Sequence, residues 1–321
     1  EAKAALYARV ESREELAALL ADPEARGRER LVLGGGSNVL FTRDFDGLVI
    51  HNAIGGLTVI ERDADHAVVQ AGAGVVWHDL VTFCIERGLG GLENLALIPG
   101  SVGASPIQNI GAYGVEMKDA FDSLDALEIA TGQTRAFAAG ECRFAYRNSV
   151  FKGERRGQYV ILAVRFRLTT RDHRLVTSYG SLQEELARRG VAQPTPRDIA
   201  EVVIETRRSK LPDPAELGNA GSFFKNPEVP LERYEALKRE NPGLVAFPAE
   251  NGMKLAAGWL IEQCGWKGKR VGNTGAHARQ ALVLVNYGGA TGEEIHALAR
   301  QIQASVQERF GVTLEMEVNV I

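Results

Sequence analysis

The clearest alternation of hydrophobic and polar residues lies at the carboxyl end of the chain. Between Val312 and Val320 every second residue is apolar, and the intervening positions are polar and include Glu317 and Asn319. A period of two places the apolar side chains on one face of a β-strand and the polar ones on the other. The pattern predicts a terminal strand with Glu317 on its polar face.

The rest of the chain combines short strands with a few helices. Apolar runs bounded by glycine predict strands at 31–33, 39–41, 47–52, 67–71, 124–129, 159–168 and 281–286. Helical periodicity, capping residues and glycine stops predict helices at 11–20, 75–87, 196–209, 253–264 and 291–310. Because glycine loops rather than regular crossover helices join the strands, we expect an α+β fold.

Length and charge narrow the class of protein. The 321 residues exceed one typical core, so two or three packed units are expected, with a Pro- and Gly-rich boundary at 211–218. The net charge of −4 disfavours binding to nucleic acid. No apolar run approaches the roughly 18–20 residues of a membrane helix, and the start is not typical of a signal peptide. We therefore expect a cytoplasmic protein without a membrane partner, and a missing leading segment, because the chain starts at Glu1 rather than Met.

Cysteine and histidine spacing argues against a metal site. Cys84, Cys142 and Cys264 form no CxxC pair and are expected to be reduced and mostly structural. The six histidines contain no HxxxH or HExxH pair, although separated ligands could still meet in space.

Glycine is the most informative residue type. The chain has 35 glycines, against about 22 at the usual ~7%, and many lie between Gly34 and Gly114. Glycine frees backbone amides to approach phosphate oxygens, so a phosphate or dinucleotide site is favoured over tight turns alone. The dinucleotide fingerprint fails at Trp77, and no GxxxxGK[ST] occurs, which disfavours a Rossmann or P-loop protein.

Two further candidates remain ambiguous on their own residues. Arg147, set among aromatic residues, is as well explained by a buried structural role as by a substrate role. Ser222 lacks the GxSxG nucleophile context and is equally well a turn serine.

Taken together, the motifs identify a family. They are LGGGSNVLF (33–41), IPGSVGASPIQNIGAYG (98–114), FAYRNSVFK (144–152), SYGSL (178–182), GNAGSFFKNP (218–227), KLAAGWLIEQCGWKG (254–268) and HARQALVLVN (277–286). In this order they resemble the UDP-N-acetylenolpyruvoylglucosamine reductase (MurB) flavoenzymes, in the branch with a mobile tyrosine loop. The match covers nearly the whole chain.

The resemblance implies a two-subdomain FAD-binding fold of the vanillyl-alcohol-oxidase (PCMH) type plus an α+β substrate-binding domain. The expected divisions are 1–56 and 57–209 for FAD, 210–311 for the substrate, and 312–321 for a strand that carries Glu317. FAD is expected to be held without a covalent bond, because the first loop has no histidine. The implied FAD-binding residues are Gly34, Gly35, Gly36, Ser37, Asn38, Pro99, Gly100, Ser101, Gly103, Ala104, Gln108, Asn109, Gly111, Ala112, Tyr113 and Gly114.

The implied reaction is the NADPH-dependent reduction of UDP-N-acetylglucosamine enolpyruvate, in peptidoglycan precursor synthesis. By motif position, Arg147 binds the substrate carboxylate, Ser222 donates a proton to the carbanionic carbon, and Glu317 is the catalytic glutamate. An ionised carboxylate would oppose the developing enolate charge, so our hypothesis is that Glu317 reacts protonated. The implied substrate-binding residues are Tyr146, Tyr179, Lys210, Asn226 and Gln280.

Some features depart from the family pattern or leave alternatives. Asn319 stands where the family usually has arginine, which puts in doubt the local support of Glu317. Without its motif, Lys210 would be a solvated charge at a helix end. The alternatives are an oxidase that shares the flavin fold, and a nucleotide-sugar-binding module without chemistry. A monomer is expected.

Overall fold

A computed structural model of the chain describes residues 2–180 and 182–321. Glu1, and Ser181 within the motif at 178–182, lie outside the described residues. The chain divides into two compact units. The large unit comprises Ala4–Gly36 and Asp46–Arg207, and the small unit comprises residues 2–3, Ser37–Phe45 and Arg208–Ile321.

The described residues form short strands and mostly short helices. In chain order the strands are β1 (Ala4–Val10), β2 (Arg30–Leu33), β3 (Val39–Leu40), β4 (Phe45–Asn52), β5 (Leu57–Arg62), β6 (His66–Gly72), β7 (Gly111–Ala112), β8 (Val115–Glu116), β9 (Phe121–Glu128), β10 (Thr134–Ala138), β11 (Tyr159–Thr169), β12 (Gly218–Ser222), β13 (Glu228–Val229), β14 (Ala246–Ala249), β15 (Gly252–Leu255), β16 (Arg270–Val271), β17 (Thr274–Ala276), β18 (Val283–Asn286) and β19 (Asn319–Val320). The α-helices are α1 (Arg13–Ala21), α2 (Trp77–Glu86), α3 (Ala139–Cys142), α4 (Leu182–Arg188), α5 (Pro196–Lys210), α6 (Leu231–Glu240), α7 (Ala257–Gln263) and α8 (Gly292–Phe310). Short 3-10 helices occur at Glu93–Leu95, Val102–Ala104 and Met117–Asp119.

The large unit is built on a five-stranded sheet in the order β10-β9-β11-β6-β5, in which neighbouring strands are antiparallel. β11 supplies side chains to two hydrophobic clusters. Val164 packs with Trp77 and helix α2 in one cluster, whereas Val160 packs with Leu16 of α1 and Ile50 of β4 in the other. A three-stranded sheet, β1-β4-β2, contributes side chains to the second cluster. Strands β2 and β4 of this sheet run parallel.

The small unit has its own hydrophobic core. A four-stranded sheet in the order β12-β18-β17-β16 packs with helices α7 and α8, and Phe223, Leu260 and Ile302 are almost fully buried there. A three-stranded sheet, β13-β15-β14, precedes α7. The carboxyl-terminal β19 pairs in parallel with β3, so the end of the chain is fixed to the Ser37–Phe45 segment of the same unit.

Mixed helices and largely antiparallel sheets confirm the expected α+β class. Capping residues, which act over only a few positions, predicted the ends of the helices most accurately. Helix α8 begins at a reciprocal capping box of Thr291 and Glu294 and ends at Gly311, whose φ is 61°. Helix α5 likewise begins where Thr195 and Asp198 exchange hydrogen bonds. These interactions need only neighbouring residues, so the sequence determines them directly.

Four local expectations need correction. The helix expected at 253–264 begins only at Ala257, because Gly252–Leu255 pairs as a strand with β13 and β14. Helix α2 begins at Trp77 rather than at residue 75, because Val76 forms a bridge to Ser101. The terminal strand alternates in burial as expected, but it pairs only around Met316 and in β19. The helix expected at 11–20 has a serine followed three residues later by glutamate, which predicts a reciprocal capping box of Ser12 and Glu15. Ser12 does accept from the N–H of Glu15, but the Glu15 carboxylate accepts from the N–H of Glu11 instead of that of Ser12.

Candidate active site

Two glycine-rich strings that lie far apart in the sequence meet in the large unit. A Cβ added to Gly34 would lie 1.8 Å from Ser101 Oγ, and one added to Gly35 would lie 3.5 Å from the Cα of Gly100. A Cβ on Gly103 would lie 2.6 Å from the Cβ of Ala73. A side chain at Gly34 would overlap that of Ser101, and one at Gly103 would overlap Ala73, so neither position accepts a side chain unless its neighbour moves. The result is a layer of backbone from residues 34–36, 73 and 100–103.

The loop at 97–114 carries an unusual amount of left-handed backbone. Leu97, Asn109 and Tyr113 have φ values of 57°, 46° and 50°, although none of them is glycine. Gly100 and Gly114 also have positive φ. Non-glycine residues in this region are strained and cluster at functional sites. The loop, which includes most of the expected FAD-binding residues, is therefore held in a conformation that its sequence does not favour locally.

Side chains of this loop are largely committed to the protein itself. Asn109 is fully buried, and its Nδ2 donates to Glu116 Oε2 at 3.0 Å and to the carbonyl of Ala145 at 3.1 Å. Its Oδ1 accepts from the backbone N–H of Lys118. Because both amide hydrogens are used, Asn109 serves the shape of the loop. Among the other expected FAD-binding residues, Pro99, Ala104 and Gly114 are exposed and Gln108 and Ala112 are half-buried.

Arg147 lies against the same loop. Its Nη2 donates to the carbonyl of Gly111 at 2.7 Å, and its Nη1 donates to that of Asn109 at 3.5 Å. Its own backbone is left-handed, with φ 51°, within a tight turn closed by hydrogen bonds between Ala145 and Asn148. The guanidinium also lies over the ring of Tyr146, 5.2 Å from the centroid.

Two tyrosines complete the group around Arg147. The rings of Tyr113 and Tyr179 meet edge to face with their centroids 6.1 Å apart. Burial raises the pKa of Tyr179, and the charge of Arg147 partly opposes that shift. Burial also raises the pKa of Tyr113, against the effect of Arg207. The large unit therefore brings together Arg147, Tyr146, Tyr179 and Tyr113, which motif position had assigned to catalysis, substrate and cofactor.

The small unit brings Ser222 and Glu317 onto neighbouring segments. Ser222 ends β12, and the backbone N–H of Glu317 donates to the carbonyl of Phe223 at 2.8 Å. Phe224 and Met316 form an antiparallel bridge next to it. Glu317 is thus paired opposite the residue that follows Ser222, although 95 positions separate the two in sequence.

The first glycine loop also contributes to this part of the small unit. Asn38 Nδ2 donates to the carbonyl of Glu317 at 3.2 Å. The carbonyl of Asn38 accepts from the backbone N–H and from the side-chain amide of Asn319, at 3.1 and 3.0 Å. Asn319, where the family usually has arginine, therefore supports the strand of Glu317 through hydrogen bonds to Asn38. Ser37, which precedes Asn38 in the chain, also belongs to the small unit.

Asn226 and Gln280 meet at the start of helix α7. Asn226 Oδ1 accepts from the backbone N–H of Ala257 at 2.9 Å, and a Cβ on Gly258 would lie 3.2 Å from Gln280 Oε1. Asn226 therefore caps a helix that its own N-cap residue, an alanine, cannot cap. Lys210, the last residue of α5, is exposed.

Three polar side chains that sequence patterns did not single out are prominent in the structure. His277 is buried, its Nδ1 has no hydrogen-bond partner within the described part of the chain, and burial lowers its pKa. Asn94 Oδ1 is likewise a buried acceptor without a partner there. Burial lowers the pKa of Arg207. Of the three, only His277 lies within a motif given above, as the first residue of HARQALVLVN.

Other chemistry is not indicated. Within residues 2–180 and 182–321, no three His, Cys, Asp or Glu side chains are grouped as metal ligands. The three cysteines are free thiols. None of the helices described is long and apolar enough to cross a membrane.

The glycine layer and the left-handed loop fit FAD. Glycine backbone places no side chain between its amide N–H groups and a ligand, which suits a long anionic dinucleotide. The N–H of Gly103 is an exception, because it donates to the carbonyl of Ala73. Asn94 adds a buried acceptor at the loop, because its Nδ2 donates to the carbonyl of Tyr113 while its Oδ1 remains available.

Comparisons with known proteins identify the two domains of the chain. Residues 4–138 match an FAD binding domain, and residues 213–321 match the UDP-N-acetylenolpyruvoylglucosamine reductase C-terminal domain. The reductase of Burkholderia ambifaria is 54% identical over 99% of this chain and 91% of its own length, and that of Pseudomonas putida is 51% identical over 100% and 94%.

Solved structures extend the comparison to the fold. The crystal structure of UDP-N-acetylenolpyruvylglucosamine reductase (MurB) from Thermus caldophilus matches with a TM-score of 0.64 at 26% identity, covering 98% of this chain and 91% of that one. The 6-hydroxy-D-nicotine oxidase of Arthrobacter nicotinovorans matches with a TM-score of 0.51 at 14% identity, covering 97% and 82%, and supports the flavin-oxidase type of fold alone. The chain belongs to the UDP-N-acetylenolpyruvoylglucosamine reductase family, and its fold is the FAD-binding fold joined to the reductase C-terminal domain.

Proposed function

We propose that the chain catalyses the reaction of its family, the reduction of UDP-N-acetylglucosamine enolpyruvate to UDP-N-acetylmuramate. FAD is the cofactor, NADPH is the co-substrate, and the product serves peptidoglycan synthesis, cell shape and cell division. The observation that carries the proposal is the pairing of the Ser222 and Glu317 segments in a chain whose other unit has the glycine layer of an FAD site. A binding module would need neither a proton donor nor a neighbouring acid.

The glycine loops would hold FAD through backbone amides of residues 34–38 and of 99–114, other than those of 102–105, 107 and 110, which donate to carbonyls of the protein. When bound, FAD would supply hydride transfer between NADPH and the terminal carbon of the enolpyruvyl group. The protein has to bind the cofactor, orient the alkene and stabilise the charge that develops on the substrate. The close packing of Gly34 against Ser101 and of Gly103 against Ala73 would hold the two loops together on the protein side of such a site.

Arg147 would bind the substrate carboxylate. Hydride addition places negative charge on the carbon next to that carboxylate, and a guanidinium stabilises the resulting enolate better than it stabilises the ground state. Arg147 is held by the carbonyls of Gly111 and Asn109, which orients the guanidinium before substrate binds. Preorientation of this kind avoids a rearrangement during the reaction.

Ser222 would donate the proton that quenches the enolate, and Glu317 would act as a protonated acid beside it. A hydroxyl is a weak acid, but an enolate is a strong base, so proton transfer between them is feasible. The backbone of Glu317 is fixed beside Phe223 by the hydrogen bond between its N–H and the carbonyl of Phe223.

The nucleotide sugar would be bound by Tyr146, Tyr179, Lys210, Asn226 and Gln280. The exposed Lys210 offers a charge for the diphosphate, and Asn226 and Gln280 offer amide groups. Tyr179 is 38% exposed and lies against Tyr113, so its ring borders the loop proposed for FAD. A mobile loop around Tyr179 would then close over bound substrate.

The functional division would follow residues 1–56 and 57–209 for FAD, 210–311 for the nucleotide sugar and 312–321 for the strand with Glu317. We further propose that the enzyme acts in the cytoplasm as a monomer. Three free cysteines are consistent with a reducing compartment.

The decisive experiment measures the two half-reactions of Ser222→Ala separately by anaerobic stopped flow. Reduction of FAD by NADPH should keep its rate within about twofold, whereas reoxidation by the enolpyruvyl substrate should slow by about 10²–10⁴, the usual value of a general acid. Equal slowing of both half-reactions, or no slowing of the second, would contradict the role of Ser222.

A matched control separates chemistry from stability. Ser305 is also in the small unit, but its hydroxyl accepts from Trp266 Nε1 and donates to the carbonyl of Ile302. Ser305→Ala should lower the thermal midpoint while both half-reactions keep their rates. Reoxidation of wild type by dioxygen as fast as by the enolpyruvyl substrate would favour the oxidase alternative.

A further inference from the structure

Leu97 is a strained residue at the entrance to the loop at 97–114. Its φ of 57° lies in the left-handed region, where the Cβ of an ordinary residue crowds the following carbonyl. The side chain is half-buried and the next residues are Ile98, Pro99 and Gly100. Something other than local preference must therefore hold this turn.

Both backbone polar groups of Leu97 are bound by side chains from two different helices. The N–H of Leu97 donates to Nδ1 of His78, in the first turn of α2, at 3.1 Å. The carbonyl of Leu97 accepts from Nε of Arg207, near the end of α5, at 3.1 Å. The two partners lie 19 and 110 residues away in the sequence, so this is a tertiary arrangement rather than a local turn.

Trp77 reinforces the same turn from its other side. Its Nε1 donates to the carbonyl of Leu95 at 2.9 Å, and its backbone N–H donates to that of Gly100, also at 2.9 Å. The chain is thus fixed two residues before and three residues after Leu97. The backbone of Leu97 itself, between these two fixed points, is bound by His78 and Arg207.

The burial of the Arg207 guanidinium is unfavourable in free energy. Among the residues described, no carboxylate lies within ion-pair distance of its guanidinium, and burial lowers its pKa. A guanidinium removed from water without a counter-charge is destabilising unless it makes strong hydrogen bonds. Nε of Arg207 makes such a bond to the carbonyl of Leu97. Tyr113, which lies near Arg207, belongs to the same loop as Leu97.

We propose that His78 and Arg207 are positioning residues that hold Leu97 left-handed and so preset the backbone amides of the loop at 97–114 for FAD. Without them, the apo-protein would populate loop conformations that do not bind the cofactor. The apparent Kd for FAD rises in inverse proportion to the competent fraction. The inference rests on FAD as the cofactor of the proposed function, but not on the roles of Arg147, Ser222 or Glu317.

The test is a titration of the apo-protein with FAD, followed by quenching of flavin fluorescence. Arg207→Met and His78→Phe should each raise the Kd about tenfold or more, the usual effect of losing a hydrogen bond to a charged or buried group. His78→Asn, which keeps an acceptor oxygen near the position of Nδ1, should recover most of the affinity.

Leu97→Gly provides the rescue, because glycine adopts positive φ without steric cost. In the Leu97→Gly background, Arg207→Met should raise the Kd by no more than about threefold, so that the two changes are strongly coupled. A merely structural role of Arg207 would lower stability and affinity equally in both backgrounds. Arg197→Met, at an exposed position on the same helix, is the matched control and should bind FAD like wild type.

The outcomes separate this inference from the proposed function. If wild-type apo-protein takes up FAD but Arg207→Met and His78→Phe bind it equally well, the positioning role is wrong and the proposed function stands. An undiminished effect of Arg207→Met in the Leu97→Gly background would also overturn it. If Arg207→Met does not fold, the His78→Phe and His78→Asn pair decides the matter. Failure of wild type to bind FAD would overturn the proposed function itself.

Discussion

Several residues of the motifs make hydrogen bonds that stabilise the protein, in addition to their proposed chemical role. Arg147 is hydrogen-bonded to the loop proposed for FAD, and Asn109 of that loop donates both amide hydrogens to groups outside it, in Glu116 and Ala145. A motif residue that is also part of the scaffold cannot be assigned a role from loss of activity alone. Substitutions must therefore keep one of the two functions while removing the other.

Two buried thiols make the stability of the large unit depend on pH in the alkaline range. Burial raises the pKa of Cys84 and that of Cys142 to about 12, from an ordinary value of 9.0. The folded state therefore favours the protonated thiols. This stabilisation is fully present below about pH 9 and is lost as the pH rises toward 12, by up to ~1.4 kcal/mol per pH unit and thiol.

We expect the free energy of unfolding to fall between pH 9 and pH 12, and to fall less steeply in the Cys84→Ala, Cys142→Ala double variant. Urea unfolding of wild type and variant at pH 8, 9.5 and 11 measures the difference. Cys264→Ala is the comparison and should change the slope less, because that thiol is only half-buried, and Ser305 and Arg309 oppose the rise of its pKa that burial causes. The same slope in the double variant as in wild type would show that neither thiol titrates abnormally.

The start of helix α7 combines capping with proposed substrate binding, and the two can be separated at Asn226. Asn226→Asp keeps the oxygen that accepts from Ala257, but it adds a negative charge near the proposed diphosphate position. Asn226→Ala removes the cap, which should cost about 0.5–2 kcal/mol of stability. We expect Asn226→Asp to keep the thermal midpoint and to raise the KM for the nucleotide sugar roughly tenfold through charge repulsion.

Thermal unfolding and steady-state kinetics on both variants check this expectation. Thr291→Ala removes the cap of helix α8, which is unrelated to the motif, and should lower the midpoint without changing KM. If Asn226→Asp left KM unchanged, Asn226 would be a capping residue only.

The same contrast explains which elements could be predicted from sequence. Helices α5 and α8 were placed well because their caps lie within three residues of the first turn. Residues 253–255 were expected to be helical, yet they belong to the central strand of a three-stranded sheet. Apolar residues there fit a helix or a strand equally well, and pairing with β13 and β14, which decides the outcome, is not local.

For the chain as a whole, the motifs predicted the chemistry better than the contacts that support it. The proximity of Gly34 to Ser101 and of Ser222 to Glu317 follows from the fold, and the sequence shows only that each motif is present. No sequence motif indicates the role of Arg207 or His78, because each binds the backbone of Leu97, which is not adjacent in the sequence. Positioning residues of this kind become visible only when the tertiary structure is known.

The two units have separate hydrophobic cores, which makes a calorimetric prediction possible. Val164 belongs to the core of the large unit and Val306 to that of the small unit, and both are fully buried. Truncation to alanine removes buried methyl groups and leaves a cavity, so each variant should lose on the order of 2 kcal/mol. FAD bound at 100 times its Kd should stabilise the folded protein by ~2.7 kcal/mol.

If each core unfolds as its own cooperative unit, Val164→Ala and Val306→Ala should lower different transitions of the apo-protein in differential scanning calorimetry. FAD should then raise chiefly the transition that Val164→Ala lowers, because the glycine layer belongs to the large unit. A single transition that both variants lower equally, with equal calorimetric and van't Hoff enthalpies, would show instead that the cores unfold together. In that case FAD would have to stabilise both units at once, and its binding energy could not be confined to the large unit.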